Sequence, residues 1–438
     1  MFETLKNVFR IKEMRRKLLY VVWMILVIRI GSQLPVPGVD SSVFREWFSS
    51  NTGDAFNFFD AFTGGSFEKM SIFALNITPY ITSSIIIQLL TIAIPALEEM
   101  QRDGEEGRKK MTAITRYVTV GLALFESVAM TIGFSRSRII PNMNFGKGIV
   151  VIVTLTAGSA MLMWIGERIT EKGIGNGISI VLCVNIVSRI PSDLTLLYEN
   201  FVKGKTIAKG ALAALIIAAI IILVVVLVLI LNGAERRIPV QYSRKMVGRK
   251  QMGGQSTNIP LKVNTAGVIP VIFASSLMSF PVVIAQFLGK SNGTGIGSEI
   301  LRGLSSSNWC NPRQLYYSWG LILYIVLCVF FAYFYTSITF NPLEVADNIK
   351  KQGGFIPGIR PGKPTSDYLT KILNYIIFIG AVGLIIVAVI PFFFNGVFGA
   401  NVSFGGTSII IVVGVVLETE KQIESQMLVR NYKGFLNA

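Results

Sequence analysis

The sequence predicts an all-α polytopic membrane protein of ten transmembrane helices, arranged as two inverted halves of five. Three observations carry that prediction. Ten apolar stretches recur along the 438 residues, and 52% of all residues are hydrophobic against 15% charged. The loops between the stretches alternate between rich and poor in Lys and Arg. Ten divides into five and five, and an odd number of spans per half forces the second half to enter the membrane from the opposite side, as an inverted repeat requires.

The stretches are Leu18–Leu34, Asn76–Leu97, Met111–Phe134, Ile149–Trp164, Ile178–Val187, Gly210–Leu231, Thr265–Phe287, Leu315–Phe340, Tyr368–Pro391 and Phe404–Leu417. Most reach the roughly 20 apolar residues that cover about 30 Å of hydrocarbon at about 1.5 Å per residue. The fifth is short. The first follows a basic tail, as a cleavable signal peptide does, but Pro35-Val36-Pro37-Gly38 stands where small cleavage-site residues belong. Leu18–Leu34 is therefore read as a retained helix.

Charge sets the orientation. Of 41 Lys and Arg residues, 28 fall in the N-terminal tail, in the loops 98–116, 167–177, 232–263 and 341–371, and in the C-terminal tail; 12 fall in the intervening loops, and Arg29 lies inside the first span. The basic side is cytoplasmic by the positive-inside rule, with both termini inside. The net charge of +16 thus describes loops at a membrane surface, not a soluble nucleic-acid-binding domain.

Composition excludes much chemistry. The chain has no His, the residue best suited to acid–base work near neutral pH and the commonest metal ligand. Cys183, Cys310 and Cys328 are scattered, two of them inside spans, which fits neither a disulfide framework nor a thiolate metal site. No phosphate-binding loop with a Lys, serine-nucleophile elbow or zinc-protease helix occurs. Gly173-Ile174-Gly175-Asn176-Gly177 resembles part of a dinucleotide fingerprint but lacks a preceding strand, so a tight turn between helices is the better reading. The expectation is a protein that is not an enzyme and needs no cofactor or metal.

The spans differ in ways that place them. Ala211–Leu231 has 21 consecutive residues without a polar side chain and can face lipid all round. The second span carries Asn76, Thr78, Thr82, Ser83, Ser84, Gln88 and Thr91. The seventh carries Thr265, Ser275, Ser276 and Ser279, with Gly267, Pro270 and Pro281 as kink points. Pairs four residues apart share a helical face. Such faces serve helix packing through hydroxyl hydrogen bonds, or they form a wall that meets water and another helix at different times. Ala55–Met70 (AFNFFDAFTGGSFEKM) is aromatic, interrupted by Gly64-Gly65 and too short to span, which marks a re-entrant piece. Backbone at membrane depth needs surrounding protein or a water-filled cavity.

Ionisable residues inside spans are few, chiefly Arg29 and Glu126, which could pair with each other or leave Arg29 to reach the outer interface. This scarcity argues against the alternative function, a proton- or sodium-coupled secondary transporter with a midplane solute site. An intramembrane protease would need paired Asp or Ser with His. The loops 232–263 and 341–371 carry Arg236-Arg237, Arg244-Lys245, Arg249-Lys250 and Lys350-Lys351, with a Gly- and Pro-rich run at 353–364. Topology alone accounts for basic loops, but loops this long are usually functional, and spaced basic pairs suit a projecting hairpin that touches acidic or phosphate-rich partners.

At these residues the chain closely resembles the SecY/Sec61-alpha family of protein-conducting channels, in its bacterial form. The likeness covers nearly the whole chain: Arg29–Ser32 with Leu34–Gly38, Ser71–Leu75 with Pro79–Ile81, Ile85–Leu90, Gly173–Ile180, Gln255–Thr257 with Pro260–Asn264, Ala266–Ser276, Pro357–Gly362 and Phe404–Ser408.

The resemblance implies two halves, residues 1–200 and 201–438, around a central pore for unfolded secretory polypeptides, with apolar segments released sideways into the bilayer. It implies a pore ring of Ile77, Ile81, Ile178, Leu182, Ile272 and Ile411, an aliphatic seal of the kind that excludes water by dewetting. It implies a plug at residues 55–70, with Phe59, Phe62, Gly64, Gly65 and Phe67, and a lateral gate of Thr78, Thr82, Ile85 and Gln88 facing Ser275, Ser276 and Phe280. Arg237, Arg244, Lys245, Arg249, Lys250 and Arg360 become docking residues for the SecA ATPase or a ribosome. The implied companions are SecE, SecG, signal sequences, nascent or secretory polypeptides and membrane lipids, in a bacterial plasma membrane. Glu126 departs from the family pattern, where a neutral residue is expected.

Overall fold

A computed structural model describes residues 11–51, 60, 63–136, 144–203, 207–242, 245–247, 250–252, 256–287, 295–310, 312, 314–398 and 406–436. Its helices are α1 (Lys12–Gly31), α2 (Ser41–Asn51), α3 (Thr78–Ala93), α4 (Pro95–Arg102), α5 (Gly104–Arg136), α6 (Phe145–Lys172), α7 (Gly177–Phe201), α8 (Ile207–Gly233), α9 (Ile269–Phe287), α10 (Ile296–Leu304), α11 (Trp319–Thr339), α12 (Pro342–Lys351), α13 (Lys363–Phe398) and α14 (Gly406–Leu436). Ten of them coincide with the ten apolar stretches. Among the described residues six helices are long and apolar enough by themselves to cross a membrane, and the bent α3–α4 pair makes a seventh. The break between α3 and α4 lies at Ile94, whose extended backbone precedes Pro95 at the first position of α4; a residue before proline is pushed out of the helical region.

In the first half α5 packs on α3 and α6, and α6 packs on α7 and α1. In the second, α9 packs on α11, α11 on α13, and α8 on α13 and α14. The halves meet along two seams. On one, α7 touches α8 and α14; on the other, α9 touches α5 and α3.

Two expectations change. The fifth span does not stop at Val187: α7 runs 25 residues to Phe201 and absorbs most of the stretch read as an outer loop, 189–209. Arg189 and Asp193 pair across one turn at 3.6 Å, and Thr195 Oγ1 donates to the Pro191 carbonyl at 2.9 Å, so the helix carries Pro191 without ending. Nor does Ala211–Leu231 face lipid on every side. Leu215, Ile222 and Ile230 are exposed, while Val224, Val228 and Leu231 form a buried stripe in the second-half core.

Glycine lets the backbone ahead of α3 press directly on α6. A Cβ on Gly158 of α6 would lie 2.0 Å from the Ile72 carbonyl oxygen, a backbone atom that cannot rotate away. Gly158→Ala should lower stability by about 1–3 kcal/mol, the usual range for overpacking a closed site. Thermal unfolding of the purified chain in mild detergent reads this as a lowered midpoint.

The two large basic loops form one body. Strand β1 (Glu235–Tyr242) pairs antiparallel with β4 (Ser256–Lys262), Ile238 opposite Ile259; the tip strands β2 (Lys245–Val247) and β3 (Lys250–Met252) pair with each other. The short β5 (Gly354–Phe355) adds to the other edge of β1, Gln241 opposite Phe355. Alternation turns Ile238 and Val240 inward against Ile349, Ile356, Leu369, Ile372 and Leu373, so the sheet sits on the first turns of α13 and on α12. Neighbouring residues face outward, Arg237 among them.

Candidate pore and gate

The six ring residues come from four helices, two in each half, and share one apolar cluster. Ile77, Leu182 and Ile411 are buried within it, and Ile81, Ile178 and Ile272 pack against it partly exposed. Helix starts aim them. Ile77 occupies the N-cap position of α3, with Pro79 in the first turn, and its carbonyl accepts from Ile81 N at 3.0 Å, one turn on. Ile178 and Leu182 are four apart on the first turns of α7, which Asn176 caps through Oδ1 to the Ile178 and Ser179 amides. Gly175, at φ +87°, turns the chain from α6 into α7. The Gly173–Gly177 motif is therefore a helix–helix turn.

Further along α7 the chemistry changes by the turn. Arg29 of α1 donates to the Val184 carbonyl at 2.5 Å and to Asn185 Oδ1 at 3.0 Å. Asn185 Nδ2 donates to Asn76 Oδ1 at 3.0 Å, and Ser159 Oγ to the Asn76 carbonyl at 3.1 Å. This corrects the proposed Arg29–Glu126 pair, because the guanidinium is held by α7 and Glu126 lies on α5. Asn76 adopts φ +52°, a left-handed conformation that Asn tolerates, and so ends one segment before α3 begins.

Beyond that network α7 meets the 60–70 segment. Phe59 and Phe62 lie outside the described residues. Gly64 and Gly65 both have positive φ, and a Cβ on Gly64 would lie 2.6 Å from the Asn185 carbonyl oxygen, so glycine lets this backbone press on α7. Phe67 is buried edge-on against Phe44 of α2, centroids 5.5 Å apart, and Phe44 meets Phe134 of α5 in the same manner. Asp40 accepts from the Ser42 amide and hydroxyl at the start of α2, which hold its carboxyl below the ordinary range. Buried Asp60 pairs with Arg189 of α7. Asp60, Asn185, Arg189 and Asp193 escaped the sequence reading. The signal was present in the four-residue spacing of Arg189 and Asp193 and in one acid amid aromatics, but a loop assignment hid it.

The gate residues divide. On α3, Ile77, Ile81 and Ile85 follow one another at four-residue spacing, with Gln88 three further on, so the ring edge continues into the gate edge. Ile85 packs on the second-half core, which makes it a contact between halves. Thr78, Thr82 and Gln88 are half-buried, and Thr82 Oγ1 donates to the Thr78 carbonyl. On α9, Ile272, Ser276 and Phe280 continue the ring edge at the same spacing, Ser276 half-buried and Phe280 exposed. Ser275 does not stand with them. It donates to the Val271 carbonyl at 2.8 Å and, with Ser279, Trp309, Tyr324 and Phe392, lines a small cavity in the second half. Helix packing claims the Ser275–Ser279 face.

On the basic sheet Arg237 is exposed on β1, and Lys245 and Lys250 lie in the tip strands; Arg244 and Arg249 lie outside the described residues. Arg360 is exposed between Gly358 (φ +84°) and Gly362 (φ +102°), and its carbonyl accepts from Thr365 Oγ1 at 2.8 Å. That bond ties the 356–362 turn to α13.

A protein-family model described as SecY matches residues 71–420. Proteins named protein translocase subunit SecY from Halalkalibacterium halodurans and Streptomyces galbus are 42% and 43% identical, each alignment covering all of both chains. A solved structure described as a protein conducting channel superposes with TM-score 0.65 at 18% identity, covering 94% of this chain and 92% of that one. Sec61 in a canine ribosome–channel complex superposes with TM-score 0.61 over the same shares.

Proposed function

The chain belongs to the SecY family and is a multi-pass protein-conducting translocation channel, and from that premise we propose how its parts divide the work. Polypeptide crosses at the aliphatic cluster of Ile77, Ile81, Ile178, Leu182, Ile272 and Ile411. The observation that carries this is the convergence of those six side chains from both halves onto one apolar cluster, the kind of lining that excludes water by dewetting. The 55–70 segment closes the outer side of that cluster, in keeping with a solved SecY structure in which the plug domain is described as stabilising the closed state and maintaining a membrane seal. Apolar segments leave between α3 and α9, where the ring edges run on into Ile85, Gln88, Ser276 and Phe280. The connection between α7 and α8 acts as the hinge and divides the chain into halves near residue 200.

The basic sheet docks the energy source, SecA or a ribosome, through Arg237, its tip residues and Arg360; a relative of this fold is described in a ribosome complex. SecE and SecG complete the assembly. Both termini and the sheet face the cytoplasm of a bacterial cell, with the chain in its plasma membrane. A solute-transporter reading has no support among the relatives.

The seam between α3 and α9 tests this reading. Cysteines at Thr82 and Ser276, in a background without Cys183, Cys310 and Cys328, should react together with a short bifunctional crosslinker in the idle channel. The short bridge should block transport of a secretory substrate, and a bridge long enough to let the helices part should restore it. Equal transport through both would contradict sideways opening here. Ser276 is chosen because Ser275 is turned into the second half.

A further inference from the structure

Asp60 is wholly buried and pairs with Arg189, whose side chain is 14% exposed; Arg189 in turn lies 3.6 Å from Asp193, 4% exposed. Asp60 Oδ1 also accepts from the Glu68 amide and from Thr63 Oγ1, both at 3.0 Å. The segment's own fold thus presents one acid to a cation fixed on α7. We propose that Asp60, Arg189 and Asp193 form an ionic latch that holds the chain at residues 60 and 63–70 against α7 and sets how strong a signal sequence must be to open the channel.

The asymmetry of the three charges is what makes this a latch and not a fixed strut. Breaking a buried pair by removing one partner is costly because it strands a charge. Here departure of Asp60 strands nothing on α7, since Arg189 keeps Asp193 one turn away, and the freed carboxylate moves toward water. The closed state gains a contact that the open state can give up. Asp193 therefore favours release and Asp60 favours closure, although both are acids touching the same guanidinium. A merely structural ion pair predicts no such opposition. Two further contacts among the described residues, Phe67 on Phe44 and the Arg45–Glu68 pair at 3.1 Å, lie on the α2 side and do not select between two partners.

The proposal rests on the plug reading of this segment. Its test uses the full chain reconstituted with its partner subunits, with two readouts: chloride efflux from idle vesicles, and ATP-driven transport of one secretory substrate carrying either a normal signal sequence or one with a shortened apolar core. Asp60→Asn should raise idle efflux roughly tenfold or more and admit the weakened signal, leaving transport of the normal substrate intact. Asp193→Asn should act oppositely, keeping the channel tight and slowing the normal substrate several-fold. Asp60→Arg combined with Arg189→Asp should bring efflux back toward wild type, whereas Arg189→Asp alone should leak. Asp60→Asn and Asp193→Asn shifting both readouts in the same direction, or Asp60→Asn changing neither, overturns the latch. Deleting residues 60–70 separates the two ideas: efflux after the deletion without efflux in Asp60→Asn defeats the latch alone, and no efflux in either defeats the plug reading with it.

Discussion

Replacing Ile81 and Ile272 with Ser should turn the idle channel into an ion leak. Each side chain packs against the shared aliphatic cluster from a different half, Ile81 on α3 and Ile272 on α9. Burying an isoleucine side chain is worth about 1.5–3 kcal/mol, and a hydroxymethyl in its place gives water a hydrogen-bonding site in the constriction. Two substitutions on facing helices should therefore raise chloride efflux from vesicles on the order of tenfold to a hundredfold, since every ~1.4 kcal/mol is a factor of ten. The single variants should fall between. Leu215→Ser and Ile222→Ser on α8, equally apolar but exposed to lipid, should leave efflux at the wild-type level. A tight double variant, correctly inserted, would remove these positions from the constriction.

Arg360 should be the most sensitive residue of the basic sheet and its neighbouring turn. Membrane topology counts Lys and Arg alike, so a purely topogenic role makes Arg360→Lys silent. A docking role does not, because the planar guanidinium engages a carboxylate or phosphate through two parallel hydrogen bonds that an ammonium cannot reproduce. The residue is presented by a rigid turn: glycines in the left-handed region on both sides, Pro361 next to it, and its own carbonyl tied to Thr365 at the start of α13. Arg360→Lys should cut motor-driven transport on the order of tenfold, and Arg360→Glu more deeply, with loss of a bidentate charge contact at an interface costing about 2 kcal/mol or more. Both should insert normally, and flotation with the membrane fraction checks that.

Much of this architecture was legible because the bilayer imposes one rule on every span. Apolar length and loop charge are read directly from sequence, and all ten helices lie where the stretches do. What misled was the assumption that charge ends a span. Arg189 and Asp193 looked like loop residues, yet they pair with each other and with Asp60, so α7 continues for several turns past Val187. The same blindness affected Arg29. Sequence offers an acid on another span as its partner, whereas the fold satisfies it with a carbonyl and an amide on α7, groups no charge count reveals. Serines on α9 illustrate a third limit: Ser275 and Ser276 are adjacent and chemically identical, and the 100° between them sends one into a cavity beside Tyr324 and the other along the ring edge. The two basic loops look independent in sequence, and the pairing of Gln241 with Phe355 and of Tyr242 with Gly354 joins them into one sheet.

Polypeptide should pass through the aliphatic cluster where the two halves meet. A secretory substrate arrested in transit by a stably folded C-terminal domain, with a photoreactive residue in its threaded stretch, tests this directly. The channel, reconstituted with its partner subunits, should crosslink that stretch to helices α3, α7, α9 and α14 at or beside Ile81, Ile178, Ile272 and Ile411, and α8 around Ile222 should remain unlabelled. Labelling of α8, or of α3 and α9 only on lipid-facing positions, would place the path elsewhere and contradict the account.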